Sequence, residues 1–127
     1  MDGPSAVRRA LKHLAAARAL QAAQLYVDVY FHCQQALELV IKAVYAERTK
    51  QRWPRIHNLV ELSDMAEVEL APDMRRLFAD LSELYVRTRY DMDVLSELED
   101  EGRARRTLSE TEEAAEWLMG LLACKSE

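Results

Sequence analysis

The longest sustained pattern in the chain runs through Val29, Cys33, Ala36, Leu37, Val40, Ile41 and Val44. Steps of three and four make this one broad stripe on a helix, predicted from about Leu25 to Lys50. Tyr26, Tyr30 and Tyr45 widen that apolar face beyond what one small bundle needs, and a second burying surface, such as a dimer partner, would account for them. Upstream, Val7, Leu11, Leu14, Ala15 and Ala22 form a narrow stripe over a helix from about Pro4 to Ala23, with Arg8, Arg9, Lys12 and His13 largely outside it. Pro4 suits its first turn. Downstream, Pro54 fixes a loop over residues 51–57, and Asn58 with Glu61 has the form of an N-cap and its reciprocal partner for a short helix reaching about Glu67. Ala71-Pro72-Asp73 opens a fourth helix, in which Met74, Leu77, Phe78, Leu81, Leu84 and Tyr85 keep helical spacing.

The pattern then changes. Glu97 to Glu101, acidic except for Leu98, precedes Gly102 and then Arg103, Arg105 and Arg106. Residues 91–107 therefore read as a solvated loop, with one helical turn at most through Val94, Leu95 and Leu98. Ser109 and Glu112 make a capping box for a last helix at about 110–124, with Ala115, Leu118, Leu121 and Leu122 inward. The sum is an all-α fold, an antiparallel up-and-down bundle of four to five helices. It forms a single domain over residues 1–127, with a core at about 5–124.

Composition agrees with that picture. Half of the 127 residues are apolar, only three are Gly and three Pro, and Ala, Leu, Glu and Arg are abundant. Such a chain can bury a core without disulfide or metal staples. Cys33 sits in the apolar stripe, far from Cys124, which argues for a small core residue rather than a disulfide framework. A net charge of -5 argues against a general nucleic-acid binder but allows a local basic patch. With no apolar leader and no run of membrane-spanning length, a cytoplasmic location without membrane contact is expected.

Three groups of residues carry candidate chemistry. Gln35, Glu38 and Lys42 are polar residues on a mostly apolar helix, and Glu38 and Lys42 stand four apart in the order that favours an ion pair. Buried polar groups must find partners. They either line a cleft with Arg87 and Arg89, ready for a nucleotide or a partner's loop, or form an internal network that locks the second helix to the fourth. Arg48, Lys50, Arg52, Arg55 and His57 make a basic patch around Trp53, whose ring could stack on a base. Equally, these cations complement the end of the second helix and keep the loop solvated. No metal site is expected, since the adjacent His32 and Cys33 point to different sides of the helix and lack paired ligands. Walker loops, dinucleotide fingerprints and nucleophile elbows are missing. Asp91 and Asp93 have the spacing of magnesium-binding aspartates without a preceding Gly-Ser element, and read as chance.

Taken in order, Gln34-Gln35-Ala36-Leu37-Glu38-Leu39-Val40-Ile41-Lys42-Ala43, Pro54-Arg55-Ile56-His57-Asn58-Leu59 and Arg87-Thr88-Arg89-Tyr90 resemble the HEPN domain family, whose members show a QQAxExxxKA helix, a PxxHxL turn and a later RYP element. The resemblance spans roughly residues 5 to 124. It departs at Asp91, where the family has proline. The resemblance implies a homodimer that acts as a non-catalytic accessory or antitoxin-type subunit beside a minimal nucleotidyltransferase encoded nearby, binding nucleotide or RNA without a cofactor. The candidate binding set is Gln35, Glu38, Lys42, Arg55, His57, Arg87 and Arg89, and the wide apolar face puts Tyr26, Tyr30 and Tyr45 at the dimer interface. The alternative is the family's metal-independent ribonuclease activity, with Arg52 and His57 supplying an Arg-x4-His pair and His57 in acid–base cleavage at a 2′-hydroxyl. That pair lies in the early turn rather than in a late helix, where the family's motif stands.

Overall fold

A computed structural model describes residues 2–122 as six helices: α1 (Gly3–Ala22), α2 (Tyr26–Thr49), α3 (Leu59–Met65), α4 (Pro72–Arg87), α5 (Met92–Glu97) and α6 (Glu101–Met119). The hub is α2, which packs against α1, α3, α4 and α6. Every residue of its predicted stripe is buried, and Leu37, Ile41, Leu59, Leu62, Phe78, Leu81, Leu98 and Leu118 share one core with it. Among the described residues no helix is long and apolar enough to cross a membrane.

Local chemistry sets the helix ends. The Asp2 carboxylate accepts from the Ser5 N–H at 2.8 Å and Asn58 accepts from the Glu61 N–H at 2.9 Å, each satisfying an orphan donor. The Ser82 hydroxyl, on α4, accepts from the Leu59 N–H at 2.8 Å and so ties the start of α3 to its neighbour. Two helix ends form Schellman motifs: Leu25 N–H donates to Leu20 C=O at 2.9 Å after α1, and Val68 N–H to Ser63 C=O at 2.8 Å after α3. The left-handed residue of each motif is Gln24 (φ 64°) or Glu67 (φ 59°), not glycine.

Four expectations need correction. The buried face of α1 is Ala6, Ala10, Leu14 and Ala17, while Leu11, Ala15 and Ala22 are exposed. Small residues let the backbone of α1 approach α2 closely, so alanines rather than the larger side chains face inward. Residues 91–107 are not a loop. Asp91 and Asp100 each cap a helix, accepting from Asp93 N–H and Arg103 N–H at 3.0 Å, and Ser109 lies inside α6 rather than at its start. The buried face of α6 (Ala104, Leu108, Thr111, Ala115, Leu118) extends a regular stripe back through the acidic and basic runs. Tyr30 and Tyr45 are buried within the chain itself, 2% and 8% exposed, and Tyr26 packs partly buried against the same core, so the width of the α2 stripe is filled within the chain. Finally, the polar residues of α2 lock it to the loop before α3, as described next, and not to α4. Cys33 is a free, fully buried thiol; Cys124 and the end of the predicted last helix lie outside the described residues.

Candidate binding site

Two turns of α2 carry Gln34, Gln35, Glu38 and Lys42 toward the 51–58 loop. Lys42 Nζ donates to Glu38 Oε2 at 2.8 Å with both side chains nearly enclosed. Gln34, 1% exposed, donates through Nε2 to Glu38 Oε1 at 3.0 Å and to the His57 carbonyl at 2.9 Å, and its own Oε1 accepts from Gln35 Nε2 at 2.7 Å. His57 Nδ1 faces both Glu38 oxygens at 3.1 Å. Gln34, Glu38 and Lys42, the buried members of this network, therefore each have a partner, as enclosed polar networks require. Gln34 is the centre of this network, and its flanking apolar stripe gave no sign of that in the sequence.

The outer side of the network is aromatic. The His57 side chain is 56% exposed, and its ring lies 5.6 Å from that of Tyr85 on α4. Phe31, an exposed residue of α2, stacks near-parallel to Tyr85 at 6.3 Å (15°). Arg89 places its guanidinium 4.3 Å from the Tyr85 centroid. A cleft of about 260 Å³ beside these rings is lined by Val27, Asp28, Phe31, Tyr85, Thr88 and Leu95. The result is an aromatic strip, exposed at Phe31 and His57 and half-buried at Tyr85, that bears a cation and suits a planar, anionic partner.

Not all the predicted binding residues join this face. His57 and Arg89 meet at Tyr85, and Glu38, Gln35 and Lys42 support His57 from the buried network behind it. Arg87 is instead paired to Asp91 at 3.0 Å and faces a separate groove between α3 and α4 with Asn58, Glu61 and Asp64. Its hydrogen bond holds the Asp91 carboxyl below its ordinary range. Asp91 thus caps the start of α5 and ties it to Arg87 in the last turn of α4, at the position where the family has proline. Arg48 leaves the proposed basic patch as well: it donates to the Ala66 and Glu67 carbonyls at 3.1 and 2.7 Å and closes the end of α3. Arg52 and Arg55 are exposed and Trp53 half-buried, and no contact joins Arg52 to His57 among the described residues. Tyr85 was legible only as a core position of its helix, because helical spacing hides that its ring reaches the surface, and Phe31, off the stripe of α2, carried no signal of its own.

One further pairing was not foreseen. His13 on α1 and His32 on α2 approach Nδ1 to Nδ1 at 2.9 Å, edge-on to Phe31. Burial, the neighbouring His32 and then Arg9 hold the His13 pKa below its ordinary value; burial does the same to His32, against the pull of Asp28. No group of three metal-ligating side chains stands assembled among the described residues.

Comparison with known proteins identifies the family and the fold. A family model for the HEPN domain matches residues 5–121. The crystal structure of TT1696 from Thermus thermophilus superposes with a TM-score of 0.80 at 18% identity, covering 96% of this chain and 100% of that one, a likeness of fold. No curated protein matches the sequence significantly.

Proposed function

The chain belongs to the HEPN domain family, and from that premise we propose that it is a non-catalytic binding subunit: a homodimer that partners a minimal nucleotidyltransferase and presents a nucleotide or nucleotide-bearing substrate on the Phe31–Tyr85–His57–Arg89 face. The observation that carries this reading is the Arg89 guanidinium over the ring of the half-buried Tyr85, with the Phe31 and His57 rings beside it. A base stacks on such rings whatever its sequence, and the guanidinium meets a phosphate. Behind it, the Glu38–Lys42 pair is engaged in holding the loop and has no oxygen to spare for chemistry.

Two measurements test the proposal. Affinity capture of the tagged protein from its native host should return a small nucleotidyltransferase in near-equal amount. Titration with ATP should raise the melting temperature by mass action, and Tyr85→Ala or Arg89→Ala should remove that rise. Capture of the protein alone, with no response to ATP, would overturn it.

A metal-independent ribonuclease is the second reading, and one observation favours it. Glu38 holds His57 Nδ1, which directs Nε2 to the opposite edge of a half-exposed ring, the orientation of a general acid–base. It requires that His57→Ala abolish RNA cleavage while the circular-dichroism spectrum stays unchanged.

A further inference from the structure

Two of the three histidines meet across α1 and α2, with their Nδ1 atoms 2.9 Å apart and their rings 36° from coplanar. Nitrogens at that distance hold one proton between them, so at least one presents an unprotonated lone pair to the other. A shared proton in that place is exchangeable for a metal cation, because neutral imidazole nitrogen is a ligand for late first-row ions. Tetrahedral coordination with Zn–N of about 2.0–2.1 Å sets the two nitrogens about 3.3 Å apart. A few tenths of an ångström of ring movement reaches that spacing, well within a side-chain rotamer well.

A third ligand is not yet assembled with the pair but stands one helical turn away. Asp28 lies one turn before His32, on the same side of α2. It is exposed, its carboxylate makes no hydrogen bond or ion pair among the described residues, and its charge acts on His32. Arg9, one turn before His13, opposes a cation, so binding should be weaker than at a closed structural site with four protein ligands. We propose that His13 and His32, with Asp28 turned toward them, form a binding site for a late divalent transition-metal ion such as Zn²⁺, clipping α1 to α2. The site stands apart from the proposed function, although Phe31 lies edge-on to both histidines and stacks on Tyr85, so the two share a wall.

The test uses tag-free protein, stripped with chelator and titrated with ZnCl₂ by calorimetry and thermal denaturation. Saturable binding of one ion per chain, with a rise in melting temperature, is expected. His13→Gln and His32→Gln should each abolish it, Asp28→Asn should weaken it, and His57→Gln should leave it unchanged. In the wild-type protein, Zn²⁺ should shift two imidazole ring signals in the ¹H–¹⁵N spectrum and spare the third, a readout that does not depend on any variant folding. Absence of binding would overturn the proposal, as would binding that survives both His13→Gln and His32→Gln. An undiminished affinity in Asp28→Asn would overturn the carboxylate's part in it.

Discussion

His57 Nδ1 lies 3.1 Å from both carboxylate oxygens of Glu38, although 19 residues separate the two and only one of them is buried. This contact turns the PxxHxL loop into a fixed platform. Glu38 is held from below by Lys42 and Gln34, and it holds His57 from beneath, leaving the other edge of the imidazole ring for Tyr85 and solvent.

A pair buried this way is costly to break from one side. Lys42→Met leaves the Glu38 carboxylate without its cation, and Glu38→Ala leaves Lys42 buried without its anion. Each should lower stability by about 3 kcal/mol, and the double variant Glu38→Gln with Lys42→Met should recover much of the loss, because no unpaired charge remains. Urea denaturation of the three variants checks this.

The Schellman motifs after α1 and α3 place non-glycine residues in the left-handed region. Gln24→Gly and Glu67→Gly should each stabilise the protein by about 1 kcal/mol. In a domain of this size that is a gain of about 4 °C in Tm for each. Arg48 bonds to the Glu67 backbone carbonyl, so the glycine keeps that contact. The two sites are remote, and the gains should add in differential scanning calorimetry.

The histidine pair makes stability depend on pH. Both folded pKa values lie below the ordinary 6.5, so the unfolded chain binds more protons as the medium becomes acid. Stability is then fully present above pH 6.5 and falls as pH drops through and below that value. Arg9 from α1 adds to the effect and Asp28 from α2 opposes it. In chelator-treated protein, the slope of the urea midpoint against pH should be reduced in both His13→Gln and His32→Gln.

Cys33 is wholly enclosed, and burial pushes its thiol up to about 12. A thiol reagent such as 5,5′-dithiobis(2-nitrobenzoate) should leave it unmodified in the native protein at neutral pH and react with it promptly in denaturant. Mass spectrometry of a Cys124→Ser variant isolates that one thiol. Rapid native modification would contradict its placement in the core.

The true start of α6 is also open to a direct check. Asp100→Ala removes a side-chain cap and should lower the melting temperature, and Asp91→Ala should do so too, since it releases both α5 and Arg87. Ser109→Ala, in mid-helix, should not lower it.

What the chain's own pattern determined is the all-α bundle and the central place of α2. Val29 to Val44 recur at helical spacing, and a stripe that broad has no stable place except against other helices. Asn58 and Pro72 marked their helix starts because caps and first-turn prolines act locally, on donors within one turn. Other features depended on partners distant in sequence. The burial of Ala10 rather than Leu11 rests on how closely α1 can approach α2, a distance that no window of α1 contains. The acidic and basic runs around Gly102 masked a helix whose inward stripe becomes apparent only once α2 lies against it. The candidate binding face is the clearest case: Phe31, His57, Tyr85 and Arg89 come from α2, a loop and the end of α4, and the His13–His32 contact joins two helices. Periodicity reports which residues share one helix face, whereas only the packing of one helix on another decides which side chains from different helices come within bonding distance.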